Sequence, residues 1–128
     1  MKKRKILIVD DNQDIRELFD IFLGQEYDVS KAEDGLKAIE FLTRESFDAI
    51  VTDYNMPRMN GLELAEAVKV KWPQIPMLMM SSDTSCSEKL FENNIKLFLP
   101  KPSSPMQIES GLKYILGLNS QSIDGSNC

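Results

Sequence analysis

The chain has 128 residues, of which 42% are hydrophobic and 27% charged, and its formal net charge at pH 7 is −5. This length and balance predict one globular domain, and the negative charge argues against a large electrostatic contact with nucleic acid. The chain contains no histidine, which excludes a Ser-His-Asp triad, a Cys-His pair and a histidine-ligated zinc site.

Targeting and redox signals are also lacking. No apolar run approaches the ~20 residues that span a bilayer, and no signal-peptide pattern opens the chain, so we expect a cytoplasmic protein. The basic residues 1–5 are interpreted as a solvated segment. Cys86 and Cys128 do not make a disulfide framework and are expected to be reduced thiols.

Short apolar runs alternate with amphipathic segments five times along the chain. In chain order, the apolar runs predict strands at residues 5–9, 27–29, 47–52, 76–80 and 96–99. Apolar residues at helical spacing predict four core-facing helix stripes: Ile15, Leu18, Phe19 and Phe22; Leu36, Ile39 and Leu42; Leu62, Ala65 and Val68; and Ile108, Leu112, Ile115 and Leu116. A short polar helix is predicted at residues 85–93. Residues 118–128 lose the pattern and are expected to be a flexible tail, which leaves residues 1–117 as the domain.

The pattern of the strands indicates the fold class. The first, third and fourth strands are continuous apolar runs, which is typical of burial on both faces of a parallel sheet. Five strand–helix units in a chain of this length predict an α/β fold with right-handed crossovers. We therefore expect a doubly wound, flavodoxin-like five-stranded parallel sheet with strand order 2-1-3-4-5.

Polar or charged residues end four of the five predicted strands. Asp10 and Asp11 follow the first strand, Asp53 the third, Ser81 the fourth and Lys101 the fifth. Ligands bind beyond the carboxyl ends of the strands in an open α/β sheet, so these groups are expected to form one site. Two carboxylates about 4 Å apart repel by ~4 kcal/mol at an effective dielectric of 20, which a bound cation would relieve. An all-oxygen site of this kind suits Mg²⁺.

The same groups suit phosphoryl transfer to a carboxylate. Lys101 can neutralise part of the remaining charge and still reach an incoming anion, and the Ser81 hydroxyl can donate a hydrogen bond to it. A metal, a lysine and a hydroxyl form the charge clamp that phosphoryl transfer needs, with Asp53 as the nucleophile.

From about residue 4 to residue 117, the chain resembles the receiver domains of two-component response regulators, of the single-domain, chemotaxis-regulator type. The matching motifs are IVDDN, TDYNMPRMNG, MMSSD, PKP and AEDGLKAIE. The resemblance implies that Asp53 is the phosphorylation site. It also implies that Mg²⁺ is held by Asp10, Asp11, Asp53 and the backbone carbonyl of Asn55.

The resemblance implies further roles at the carboxyl edge. Ser81 takes the position of the hydroxyl residue that moves toward the phosphoryl group, and Lys101 that of the family's lysine. Phe98 takes the aromatic switch position. Asn55 and Asp83 fall where side chains tune hydrolysis of the acyl phosphate.

The implied partner is a histidine kinase or a histidine phosphotransfer protein acting in trans, because the chain has no histidine of its own. Phosphorylation would change the face made by the fourth helix, fifth strand and fifth helix, and a downstream protein would bind there. Such a domain promotes only its own phosphorylation and dephosphorylation and is not an enzyme in the usual sense. We expect no nucleic-acid or membrane partner, and a monomer or weak dimer.

Departures from the family pattern lie near the last strand and helix. Asn94 and Ile95 stand where a Gly-Ala pair is usual, and Ser103 follows the PKP motif where Phe is frequent. The last helix is predicted to start here, capped by Ser103 or Ser104 with Pro105 in its first turn.

Three other functions fit the sequence less well. A flavodoxin-like cofactor binder would need a phosphate loop where this chain has Asp10, Asp11 and Asn12, which would repel a phosphate. An aspartyl phosphatase keeps its nucleophile after the first strand and usually adds a cap. A pseudo-receiver would fold without being phosphorylated, and the intact acidic set argues against it.

Overall fold

The computed structural model describes residues 3–82, 95–101 and 103–117. The strands are β1 Lys5–Val9, β2 Asp28–Ala32, β3 Ala49–Asp53, β4 Met77–Ser81 and β5 Ile95–Pro100. The helices are α1 Gln13–Leu23, α2 Gly35–Arg44, α3 Gly61–Lys71 and α4 Pro105–Ile115. The predicted helix at residues 85–93 and the predicted tail at 118–128 lie outside the described residues.

All five strands are parallel and form one sheet in the order β2-β1-β3-β4-β5, so the predicted fold is confirmed. Every residue of β3 and β4 is buried, as are four of the five in β1. Alternate residues of β1 enter different cores: Leu7 and Val9 pack with α2 and α3, whereas Ile6 and Ile8 pack with α1 and α4. Because side chains alternate along a strand, a continuous apolar run serves both faces of the sheet.

Polar side chains cap the start of each described helix. The cap side chains accept hydrogen bonds from backbone N–H groups at the third helical position: Asn12 for α1, Asp34 for α2, Asn60 for α3 and Ser104 for α4. Of the two serines predicted as caps for the last helix, Ser104 is the cap, and Pro105 follows it in the first turn. The described helices include none that is long and apolar enough to cross a membrane.

Two residues predicted to face the core are largely exposed. Leu18 is 47% exposed and Leu36 is 48% exposed. In α1 the buried positions are Phe19 and Leu23, and in α2 Ala38 is fully buried. The apolar residues of each helix are compatible with more than one buried face, and contact with the sheet decides which face is buried.

Strand boundaries also differ from the predictions. The second strand is Asp28–Ala32 rather than 27–29, because it lies at the sheet edge, where polar residues break the apolar signal. The third and fourth strands each end one residue later than predicted, on Asp53 and Ser81. These two polar residues are therefore held by the sheet itself.

Candidate functional site

The sheet brings the ends of β1 and β3 together. Val9 is paired with Thr52, so Asp10 and Asp53 are the next residues on neighbouring strands. The Asp10 N–H donates to the Ala32 carbonyl at 3.1 Å, and the Tyr54 N–H donates to the Met80 carbonyl at 2.8 Å. Main-chain bonds to adjacent strands thus hold the backbone at both carboxylates.

Asp10, Asp11 and Asp53 form one acidic cluster, as the sequence predicts. Each offers a carboxylate oxygen, and these oxygens lie within 4.8 Å of one another. Asp10 is 0% exposed and Asp53 is 2% exposed, whereas Asp11 faces solvent. Buried carboxylates at such separations need positive charge nearby. The oxygen-only donor set and its spacing fit a hard divalent ion such as Mg²⁺.

Lys101 supplies part of that charge. Its Nζ donates to Asp53 Oδ2 at 2.7 Å and lies 3.4 Å from Asp10 Oδ2. Burial lowers the pKa of Lys101, but the hydrogen bond to Asp53 and the attraction of Asp10 outweigh it, so the net pKa is raised. The side chain is therefore a permanent ammonium at neutral pH, and 27% of it still reaches solvent.

Asp10 is held in place by its own loop. Its Oδ1 accepts the Asn12 N–H at 2.9 Å, and its backbone carbonyl accepts Arg16 Nη1 at 2.7 Å. Burial raises the pKa of Asp10, and the Asn12 N–H and Lys101 oppose that rise only in part. A cation at the cluster would favour the ionised form of Asp10.

The turn after β3 folds back tightly on Asp53. The Asn55 N–H donates to Asp53 Oδ1 at 3.2 Å, and the Gly61 N–H donates to the Tyr54 carbonyl at 2.8 Å. A Cβ on Gly61 would lie 2.7 Å from the Asp53 carbonyl oxygen, closer than real side chains approach. Glycine at position 61 thus allows α3 to start directly beside Asp53, and Asn55 lies at the surface next to the cluster.

The remaining predicted site residues lie on β4 and β5. Ser81 is 1% exposed, and its carbonyl accepts the Lys101 N–H at 2.8 Å, so these two strand ends are joined by main chain. Phe98 is opposite Met79 and packs, half-buried, against the core on the side of α2 and α3. Asp83 lies outside the described residues.

A second charged pair, for which the sequence pattern predicts no role, joins the start of α2 to the β3–α3 loop. Asp34, only 4% exposed, accepts hydrogen bonds from Arg58 Nε at 3.0 Å and from Arg58 Nη2. Burial works against the ionised form of Asp34, but the bonds from Arg58 and from the Lys37 N–H prevail, so its pKa is lowered. The two residues are 24 positions apart, and no local pattern links them.

Comparison with known proteins agrees with the resemblance seen in the sequence. The response regulator receiver domain family matches residues 6–113. The chain is 32% identical over 124 residues to a chemotaxis protein CheY homolog of Campylobacter jejuni, across 91% of this chain and 95% of that protein. The structure of chemotaxis response regulator CheY4 of Vibrio cholerae superimposes with a TM-score of 0.84 at 30% identity, covering 89% of this chain and 99% of that one.

Longer proteins match as well. The chain is 32% identical over 117 residues to the putative two-component response regulator ARR21 of Arabidopsis thaliana, which covers 89% of this chain. It spans 19% of that relative's length.

Proposed function

Since this chain belongs to the response regulator receiver domain family of two-component signalling, we propose that Asp53 accepts a phosphoryl group in a Mg²⁺-dependent reaction. The observation that carries the proposal is the cluster of three carboxylates within 4.8 Å with the Lys101 ammonium 2.7 Å from Asp53. It combines a nucleophile, a candidate cation site and a fixed positive charge at one sheet edge.

In this proposal the phosphoryl group comes from a phosphohistidine on a kinase or phosphotransfer protein, which acts in trans because this chain has no histidine. The donor's P–N bond breaks as a P–O bond forms to an Asp53 carboxylate oxygen, and the imidazole leaves with the electron pair and takes a proton from solvent. The reaction is that of a signalling domain, and the chain acts only on its own Asp53.

Each group around Asp53 has a role in this transfer. Asp10, Asp11, Asp53 and the Asn55 carbonyl would hold Mg²⁺, which offsets the negative charge of the carboxylates and of the phosphoryl oxygens. Lys101, already paired with Asp53, would bond a phosphoryl oxygen once Asp53 is modified.

The transmitted change would run through β4 and β5. In the proposal, the Ser81 hydroxyl donates to a phosphoryl oxygen, and Phe98 turns inward as Ser81 moves. The face that the sequence predicts for the fourth predicted helix, β5 and α4 would then bind a downstream protein. Asn55 and Asp83 tune the hydrolysis of the acyl phosphate. The cytoplasmic location stays a prediction from the sequence.

The test is the intact mass of the protein after incubation with a small phosphodonor, with and without Mg²⁺. The wild type should gain one phosphoryl group only with Mg²⁺, and Asp53→Asn should gain none. Asp20→Asn is a matched control, since this carboxylate lies in α1, pairs with Lys31 and is not a member of the acidic cluster; it should be modified like the wild type. No gain in the wild type under any condition would favour a pseudo-receiver that binds its partners without phosphorylation.

A further inference from the structure

The loop between β3 and α3, residues 54–60, has an unusual backbone at Arg58. The φ angle of Arg58 is 68°, in the left-handed region that non-glycine residues rarely adopt. The Met59 N–H donates to the Pro57 carbonyl at 2.7 Å, which closes a tight three-residue turn around Arg58. Such a backbone persists only when the surrounding structure holds it.

Asp34 is the group that holds it. Its Oδ2 accepts Arg58 Nε at 3.0 Å and also Nη2, while its Oδ1 accepts the Lys37 N–H at 2.8 Å and caps α2. Within the part of the chain that the structure describes, the other hydrogen bonds of residues 55–59 stay within β3 and this loop. Of these described residues, only the Arg58 guanidinium bonds to another segment. One carboxylate therefore fixes both the start of α2 and the turn of the loop.

Gly35 adds a close contact beside this pair. A Cβ on Gly35 would lie 2.7 Å from Met59 Cγ, so the loop packs directly on the first turn of α2. Met59 also packs against the core between the sheet, α2 and α3. The AEDG segment thus contacts the loop that carries Asn55.

We propose that the Asp34–Arg58 pair positions the loop so that the Asn55 carbonyl can bind Mg²⁺. The inference rests on the proposed function, in which that carbonyl is a ligand. Neither residue belongs to the acidic cluster of Asp10, Asp11 and Asp53. Partners that orient a ligand typically change metal affinity about 10- to 100-fold when removed.

The test is a double-mutant cycle on the Mg²⁺ dissociation constant, measured by calorimetry on the full chain. Asp34→Asn keeps a side chain that caps helices well but loses the charge, and Arg58→Gln loses the guanidinium. Each single variant should weaken Mg²⁺ binding on the order of tenfold. The double variant should be no weaker than either single one, because both remove the same contact.

The direction in which Arg58→Gln changes the Mg²⁺ affinity distinguishes a positioning role from a purely electrostatic effect of the Arg58 charge. Loss of a positive charge near the cluster would by itself tighten Mg²⁺ binding, whereas loss of positioning weakens it. Lys37→Ala is the matched control, since it removes a positive charge from the same helix end and leaves the Asp34–Arg58 contact intact. Urea unfolding of each variant checks that the protein remains folded. Arg58→Gly, which tolerates the positive φ without the guanidinium, should weaken Mg²⁺ binding as Arg58→Gln does.

Phosphorylation by a small phosphodonor gives the second readout. At saturating Mg²⁺, Arg58→Gln should be modified within about twofold of the wild-type rate, because the pair acts through the metal. If Arg58→Gln is folded and its Mg²⁺ binding is unchanged or tighter, the positioning role is wrong, whereas the proposed function is unaffected. A wild type that neither binds Mg²⁺ nor is phosphorylated would overturn the proposed function, and this inference with it.

Discussion

At the residue scale, one ammonium is shared by two buried carboxylates. Lys101 lies 2.7 Å from Asp53 and 3.4 Å from Asp10, and both aspartates are almost fully buried. The ammonium offsets part of the negative charge of the cluster before any metal binds, and it also places a positive charge where it competes with a cation. Lys101 is therefore expected to favour the proposed phosphoryl transfer to Asp53 and to oppose metal binding.

Lys101→Met should separate these two effects. We expect phosphorylation by a small phosphodonor to slow on the order of 100-fold, because a charged donor to the developing phosphoryl charge is lost. We expect Mg²⁺ to bind more tightly than in the wild type, because the competing ammonium is gone. Mass spectrometry of the time course and calorimetry measure the two quantities, and an unchanged phosphorylation rate would contradict the role of Lys101. Lys113→Met, in the last turn of α4, is the control.

At the element scale, the start of α2 depends on an ionised side chain. Asp34 caps the helix through the Lys37 N–H and pairs with Arg58 in the β3–α3 loop. Burial disfavours the carboxylate, but both contacts favour it and prevail, so the pKa of Asp34 is lowered from its ordinary value of 3.8. The unfolded chain then binds a proton more readily than the folded one, so this contribution to stability is present above the ordinary pKa and is lost as pH falls through the folded value.

The pH dependence of Asp34→Asn should show this directly. At pH 7 the variant should have a lower free energy of unfolding than the wild type. The difference should begin to shrink as pH falls below about 4, where Asp34 of the unfolded wild type takes up a proton, and it should be lost below the lower pKa of the folded state, where Asp34 is uncharged in both states. Urea unfolding at a series of pH values measures it. A difference that stays constant down to pH 2 would assign the effect to packing and not to the charge of Asp34.

The strands and helices also show which features of the structure the sequence could predict and which it could not. The site residues at the ends of β1, β3, β4 and β5 could be named because strand ends in a parallel sheet meet at one edge. The buried face of α1 could not be predicted correctly, because Leu18 and Leu23 both fit helical spacing and only contact with the sheet buries Leu23. The Asp34–Arg58 pair has no local signal, because it joins two loops from different parts of the chain.

At the scale of the whole molecule, a cation at the cluster would link strands β1 and β3 and so couple metal binding to folding. A ligand that binds only the folded state stabilises it in proportion to the logarithm of its concentration. The three carboxylates come from two adjacent strand ends, and the unfolded chain does not hold them together.

Mg²⁺ should therefore raise the free energy of unfolding of the wild type. At a free concentration 100 times the dissociation constant, the increase should be about 2.7 kcal/mol. Asp11→Asn should lose most of this increase while keeping its fold, because Asp11 is exposed. NaCl at matched ionic strength is the control. An equal increase with NaCl, or in Asp11→Asn, would mean that Mg²⁺ acts by screening and not at the cluster.

Lys101 lies 91 positions after Asp10, with which it shares the site. During synthesis on the ribosome, Asp53, the proposed acceptor, emerges 48 residues before the lysine with which it pairs. A nascent chain, or one cut short before β5, would present Asp53 to a kinase without the charge that the proposed transfer requires. Such incomplete molecules would draw few phosphoryl groups from the pathway, so signalling would begin only in chains whose last strand has docked.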